Sequence, residues 1–396
     1  MPIRSLRLAV VITFSALTAA CQQAAAPPAV APEIEAALQS LVEAVVTDNE
    51  AIPGAALHVD TPALDLNWEG AAGLADPETG TPMTPEHPVR IASNSKTFIA
   101  AAILRAAEKG LLGLDDPIAD HLPEEFVELL RSDGYDTRAM TIRHLLTHTS
   151  GLFDHTSPDA YAEAILAEPT HRWTRAEQLQ AAIAWGDPHG SPGEIYSYCD
   201  TGYVLLGEVL EQATGQSMPQ AVRELVGFEQ LGLDSTWWET LEPPPESIPD
   251  RAHQFYGDLD TTDFDPAFDL YGGGGLVATV GDMARFFRAL FSGGVYENRA
   301  TADAMLTTIE GTQPLPDASD SALPPGAYRM GLWMVELDGH TTFRHSGFWG
   351  TVAMYVPQLE LTIAATVNQN QGKGALENLV REAVALVGNA GERVPN

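Results

Sequence analysis

The chain has 396 residues, of which 45% are hydrophobic and 19% charged, a balance typical of a folded protein with one large domain or two. Asp and Glu number 54 against 21 Lys and Arg, which gives a formal net charge of −33 at pH 7. A surface with this charge repels phosphate backbones, so nucleic acid is not expected as a partner.

The N-terminus has the pattern of an export signal. Arg4 and Arg7 precede an apolar run over residues 8–20, which is too short for a stable transmembrane helix and ends in small residues before Cys21. A cysteine in this place resembles the bacterial lipoprotein signal, in which that cysteine is lipidated. The alternative is a plain secretory signal that is cut nearby.

These patterns predict the organisation of the whole chain. The leader covers residues 1–21, an Ala/Pro-rich tether covers 22–31, and one folded domain covers 32–396. The protein is then expected to be exported to the periplasm or the outer surface of a bacterium, with a lipid anchor as its only contact with the membrane.

Hydrophobic periodicity and turn residues predict strands at both ends of the domain and helices between them. In chain order, the patterns predict a helix over 32–45, strands over 55–59 and 64–72, helices over 93–109, 142–146, 175–185, 201–213, 218–230 and 280–291, strands over 328–336, 341–346, 352–356 and 361–367, and a helix over 375–387. We therefore predict an α+β fold, in which N- and C-terminal strands form one antiparallel sheet flanked by helices. The helical middle packs as an inserted lobe and leaves a cleft at the seam.

The first chemical motif is Ser93 and Lys96 at the start of a predicted helix. Side chains three apart on a helix share one face, with Cβ atoms about 5–6 Å apart. If burial keeps the amine neutral, it can accept the hydroxyl proton and make the serine a nucleophile. On this motif alone, a solvated lysine beside an ordinary serine is an equal alternative.

Two further stretches follow in order, Pro192–Tyr203 and Arg344–Gly350. With Ser93 and Lys96 they resemble the three motifs of the penicillin-recognising serine hydrolases, the group of class C β-lactamases, D-Ala-D-Ala carboxypeptidases and related esterases and D-aminopeptidases. The resemblance covers about residues 32–389, so the domain over 32–396 is predicted to be a β-lactamase-related serine hydrolase. Other stretches that agree with the family are Leu111–Pro117, Ile142–Leu152 and Gly274–Val277.

The resemblance implies the catalytic roles. Ser93 is the acylated nucleophile, and Lys96 is its base partner. Tyr198 matches the tyrosine that works with the lysine to pass a proton to the leaving group, and a buried cation beside the phenol is expected to favour phenolate. His345 lies where the family has Lys-Thr-Gly or His-x-Gly. The alternatives are that Tyr198 is a packed core tyrosine and that His345 only orders the strand edge.

The resemblance also implies a substrate site. The backbone N–H groups of Ser93 and Phe348 are expected to form the oxyanion hole. Trp349 can equally be core or cleft wall. The side chains and backbone expected to contact substrate are Asp200, Ser346, Gly347 and Trp349.

Two residues depart from the family pattern. Asp200 replaces the usual Asn, and His345 replaces the lysine of true β-lactamases. An aspartate beside Lys96 favours the ammonium and makes the cleft less favourable for a substrate carboxylate. The structural alternative is that Asp200 only caps the helix that begins near Thr201.

The expected function is hydrolysis of small esters or of D-amino-acid amides and peptides through an acyl-enzyme. A D-Ala-D-Ala carboxypeptidase or β-lactamase is one alternative, and a non-catalytic binding or scaffold protein with this fold is another. No metal or organic cofactor is expected. His144 and His148 are spaced like a metal pair, but no third metal ligand is evident near them. The sequence leaves the natural substrate and the oligomeric state open.

Overall fold

The computed structural model describes residues 30–315 and 327–391, so the predicted leader and nearly all of the tether lie outside the described residues. Within the described ranges, no helix is both long enough and apolar enough to cross a membrane. The helices are α1 Val30–Thr47, α2 Ser95–Glu108, α3 Glu124–Ser132, α4 Ile142–Leu146, α5 Asp159–Ala167, α6 Arg175–Trp185, α7 Asp200–Thr214, α8 Met218–Val226, α9 Phe228–Leu231, α10 Val280–Ser292, α11 Arg299–Met305 and α12 Lys373–Gly391. The strands are β1 Gly54–Thr61, β2 Leu66–Asp76, β3 Thr81–Pro82, β4 Val89–Arg90, β5 Ile195–Tyr196, β6 Trp237–Trp238, β7 Phe255–Tyr256, β8 Leu259–Asp260, β9 Leu276–Ala278, β10 Gln313–Pro314, β11 Trp333–Leu337, β12 His340–Gly347, β13 Thr351–Val356 and β14 Leu361–Thr366.

The main sheet joins the two ends of the chain. Its strand order is β11-β12-β13-β14-β1-β2-β3, and β1 lies antiparallel to β14 with Val59 opposite Ile363. Side chains alternate across this sheet. Leu57 and Val59 pack with α1 and α12, whereas Ala56, directly before Leu57, faces the core formed with α2 and α10. The predicted α+β fold, with a sheet made from both chain ends, is confirmed.

Helix α2 is the central element of the core on the Ala56 side of the sheet. Phe98, Ile99 and Ile103 are fully buried, and the Phe98 ring stacks on Phe286 of α10 at 3.7 Å between ring centroids. Helix α2 also packs against α7 and α8 of the helical lobe. The start of α2 therefore lies where the lobe meets the sheet.

Several predicted elements differ from the structure in their limits. The helix predicted over 218–230 is divided into α8 and α9 at Gly227, whose φ of +83° is left-handed. The strand predicted from Tyr328 begins at Trp333, because the chain turns at Gly331, where a Cβ would lie 2.4 Å from the Ala100 Cβ. Three helices, α3, α5 and α11, were not predicted from the sequence.

Candidate active site

Ser93 lies in a 3₁₀ turn over Ala92–Asn94, immediately before α2. Ala92 has φ +46°, a left-handed conformation that is strained for a residue with a side chain and often marks functional sites. Neighbouring contacts fix the turn. The N–H of Leu276 donates to the Ser95 Oγ at 3.1 Å, and the Ile91 N–H donates to the Leu276 carbonyl at 3.0 Å.

The end of β12 packs tightly on the same turn. A Cβ at Gly347 would lie 2.2 Å from the Ile91 carbonyl oxygen, so this close approach requires glycine. The Asn94 side chain donates to the Thr351 hydroxyl at 2.9 Å and so ties the turn to β13. These contacts bring the chain around Phe348, where the second oxyanion donor is predicted, next to the Ser93 turn.

Lys96 is completely buried, and its ammonium group faces three oxygen atoms. Its Nζ donates to the Ser93 Oγ at 3.0 Å and to the Gly273 carbonyl at 2.5 Å, and it lies 2.6 Å from an Asp200 carboxylate oxygen. Three acceptors match the three donors of an ammonium. The predicted contact between Ser93 and Lys96 is thus present in the structure.

The Tyr198 ring lies beside the ammonium group of Lys96. Its ring centroid is 5.1 Å from the Lys96 Nζ, and its ring is parallel to that of Trp333 within 7°. Burial and then the negative charge of Asp200 raise the pKa of Tyr198 well above its usual value, and an interaction with the Ser93 hydroxyl opposes them. The expectation of a phenolate is therefore wrong for this structure, because burial and the charge of Asp200 keep the phenol neutral.

Asp200 is the first residue of α7, and its side chain points to Lys96. It does not act as the helix cap, because the Cys199 cap position has no side-chain hydrogen bond and the Asp200 N–H donates to Asp154 Oδ1 at 3.1 Å. Of the two interpretations, the structure favours an electrostatic role for Asp200.

Two more buried carboxyl groups, Asp154 and Asp269, lie near Asp200. Burial, followed by the charge of Asp200, raises the pKa of Asp154 to about 7. Burial also raises the pKa of Asp269 to about 7, although the charge of Lys96 opposes this shift. Both carboxyl groups are mostly neutral at pH 6 and mostly ionised at pH 8. The site thus becomes more negative as the pH rises through 7.

His345 is buried on β12, and both of its ring nitrogens are engaged. Burial and the charge of Lys96 lower the pKa of His345 to about 3, so the ring is neutral near pH 7. Its Nδ1 donates to the Ser346 carbonyl at 2.9 Å, which leaves Nε2 to accept from the Tyr328 hydroxyl at 3.1 Å. This arrangement favours the strand-ordering interpretation, and the catalytic role of His345 stays a prediction.

The remaining predicted contacts differ in exposure. The Phe348 ring is 45% exposed and stacks on Tyr256, while Ser346 is exposed beside it. Trp349 is only 4% exposed and lines a small cavity with Ala92. Trp349 therefore forms a wall below the surface, and its contact with substrate stays a prediction.

Four groups near the site were not assigned to it from the sequence. The Gly273 carbonyl binds Lys96, Asp154 and Asp269 add charge, and Tyr328 binds His345. Two signals were available: Asp154 follows the Ile142–Leu152 stretch by two residues, and Gly273 directly precedes the Gly274–Val277 stretch. The two candidate metal ligands have other partners. His144 Nδ1 completes the cap of α4 with Thr141, and His148 Nδ1 accepts the Cys199 N–H at 3.1 Å.

Comparisons with known proteins agree with this geometry. The family model described as Beta-lactamase matches residues 35–386. Penicillin-binding protein 4 of Amycolatopsis lactamdurans is 28% identical over 370 residues, which cover 90% of this chain and 91% of that protein. Esterase EstB of Burkholderia gladioli is 33% identical over 189 residues, and the match covers 47% of each chain.

Among solved structures, the D-stereospecific amidohydrolase from a Streptomyces species superposes with a TM-score of 0.72 and 26% identity. That match covers 88% of this chain and 98% of the other. The family match extends over the strands of both chain ends and over the turn that carries Ser93 and Lys96. The chain therefore belongs to the Beta-lactamase family and is a serine hydrolase.

Proposed function

We propose that this protein hydrolyses small esters or D-amino-acid amides and peptides through an acyl-enzyme formed on Ser93. The observation that carries this proposal is the buried Lys96 Nζ at 3.0 Å from the Ser93 Oγ. The relatives include a protein named as an esterase and one named as a D-stereospecific amidohydrolase, which supports the substrate classes.

The proposed reaction moves one proton at each step. Attack by Ser93 requires Lys96 in its neutral amine form, because its Nζ, 3.0 Å from the Ser93 Oγ, must accept the hydroxyl proton. Lys96 then takes the Ser93 proton as the Oγ–carbon bond forms. The neutral Tyr198 phenol gives its proton to the leaving group, and Lys96 returns a proton to the phenolate. Water then attacks the acyl-enzyme, the same groups pass the protons in the opposite direction, and the acid is released from Ser93.

A hydrolysis panel tests the substrate class. It contains p-nitrophenyl acetate and butyrate, D-alanine and D-phenylalanine amides with their L forms, nitrocefin and a D-Ala-D-Ala peptide. We expect the highest kcat/KM for an ester or a D-amide. Fastest turnover of nitrocefin or of the D-Ala-D-Ala peptide would instead support the β-lactamase or carboxypeptidase alternative. Absence of turnover together with absence of fluorophosphonate labelling would support a non-catalytic member of the fold.

The charge around Lys96 predicts a preference for neutral substrates. Two like charges 4 Å apart at an effective dielectric of 20 repel by about 4 kcal/mol. A repulsion of only a quarter of this energy, about 1 kcal/mol, lowers kcat/KM about fivefold. We expect Asp200→Asn to raise kcat/KM for a carboxylate-bearing ester relative to its matched neutral ester by about fivefold. The measurement is the ratio of the two kcat/KM values in wild type and variant.

The control is the ratio of kcat/KM for the carboxylate-bearing ester to that for the neutral ester, measured as a function of pH. In the wild type, ionisation of Asp154 and Asp269 between pH 6 and 8 should lower the relative rate of the anionic ester. His345 stays neutral across this range, because its pKa is about 3. A ratio that changes neither with Asp200→Asn nor with pH would contradict the electrostatic interpretation.

We also propose that Cys21 carries a lipid that holds the exported domain on a bacterial membrane. The support is the apolar run that ends in small residues directly before this cysteine. In a bacterial host, metabolic palmitate should label the wild type and not Cys21→Ala, and the variant should move from the membrane fraction to the soluble fraction. An unlabelled wild type in the soluble fraction would contradict the anchor and leave a plain secretory signal.

A further inference from the structure

His148 lies in the loop after α4, and the chain around Tyr198 is hydrogen-bonded to it on both sides. The His148 carbonyl accepts the Ser197 N–H at 2.9 Å, and its ring Nδ1 accepts the Cys199 N–H at 3.1 Å. These two N–H groups belong to the residues directly before and after Tyr198. One residue therefore fixes the backbone on either side of the phenol.

The imidazole ring also contacts the Tyr198 side chain. The two ring centroids are 4.3 Å apart, and the imidazole also lies against the rings of Tyr328 at 4.4 Å, Tyr203 at 5.0 Å and Tyr196 at 6.5 Å. His148 is 1% exposed, so this packing is almost dry. Backbone and side chain of Tyr198 are thus both held by the same residue.

The backbone conformation of His148 allows this residue to bind the N–H groups on both sides of Tyr198. Its φ is +56°, a left-handed conformation in which histidine is found more often than most side chains. The flanking chain is attached to the same segment, because the Gly193 N–H donates to the Thr149 carbonyl at 2.7 Å and the His189 N–H to the Gly151 carbonyl at 2.9 Å.

The protonation state of His148 suits an acceptor. Burial, followed by the charges of Lys96 and His345, lowers the pKa of His148 well below its usual value. A neutral ring that accepts at Nδ1 carries its proton on Nε2. Nδ1 therefore stays available to the Cys199 N–H throughout the physiological pH range.

From these contacts we infer that His148 is a positioning residue, which holds the Tyr198 phenol within reach of the Ser93 hydroxyl. This inference rests on the proposed role of Tyr198 in proton transfer. His148 itself touches neither the substrate nor the reacting atoms. Its effect is to set the position of the phenol before substrate arrives, and misplacement of a catalytic group by about 1 Å can lower a rate on the order of a hundredfold.

The test compares two variants that both tolerate the left-handed backbone. His148→Asn places a side-chain oxygen near the former Nδ1 position, whereas His148→Gly has no acceptor. Both lose the ring, so their difference isolates the hydrogen bond to Cys199. With p-nitrophenyl acetate, we expect His148→Gly to lose kcat on the order of a hundredfold with KM within about twofold, and His148→Asn to stay within about tenfold of wild type.

A double variant separates positioning from general destabilisation. If His148 acts through Tyr198, adding His148→Gly to Tyr198→Phe should lower kcat by less than about twofold beyond Tyr198→Phe alone. Equal kcat values for the Asn and Gly variants at equal Tm, or additive losses in the double variant, would overturn the inference. A Tyr198→Phe variant with full activity would instead overturn the proposed role of Tyr198, so the two failures can be told apart.

Discussion

Replacing Ser93 with alanine is expected to abolish fluorophosphonate labelling and to lower ester hydrolysis on the order of 10⁴-fold or more, because no other group forms the acyl-enzyme. The change removes one partly exposed oxygen, so the fold should remain intact. The measurements are in-gel labelling, kcat with p-nitrophenyl acetate, and Tm.

Ser95→Ala is the matched control. The Ser95 hydroxyl is buried and accepts the Leu276 N–H, so its loss should cost about 1–3 kcal/mol of stability while labelling continues. Labelling of Ser93→Ala at the wild-type rate would contradict the assignment of the nucleophile.

Replacing Lys96 with methionine should affect both activity and stability. We expect kcat to fall on the order of a thousandfold or more, because the proton acceptor is lost. Stability should also fall by about 3 kcal/mol, since the Asp200 carboxylate is left without its partner in a mostly buried place. Hydrolysis assays and chemical denaturation measure the two effects separately.

The double variant Lys96→Met/Asp200→Asn distinguishes these effects. It removes the unpaired charge, so the free energy of unfolding should recover most of the loss while activity remains low. A Lys96→Met variant with activity within tenfold of wild type would exclude Lys96 as the base. A double variant no more stable than the single one would exclude the ion pair as the source of the stability loss.

The sequence predicted what depends on local pattern. Periodicity located α4 and α6 with their limits, and α6 begins at a capping box formed by Thr174 and Glu177, a short local sequence pattern. The contact between Ser93 and Lys96 followed from helical spacing, even though Ser93 itself lies in a 3₁₀ turn. Short-range geometry was sufficient for these features.

The sequence did not predict features that depend on distant segments. The neutral state of Tyr198 results from burial and from Asp200, and the contacts of His345 depend on Tyr328, which precedes it by 17 residues. Asp269 interacts with Lys96 although the two residues are more than 170 positions apart in the chain. Such arrangements require the tertiary structure, because no local pattern specifies which side chains share a cavity.

The pairing of the first strand with the last has a consequence for how the protein is made. Ala56 pairs with Thr366, so the ribosome must add about 300 residues before β1 can pair with β14. At a synthesis rate of about 5–20 residues per second, this delay is roughly 15–60 s. During that time β1 lacks one of its two neighbouring strands, and chaperones have a long interval in which to bind its open edge. A chain that stops before β14 keeps Ser93 and Lys96 but lacks the strand that joins β13 to β1, so premature termination should give inactive protein that is prone to aggregate.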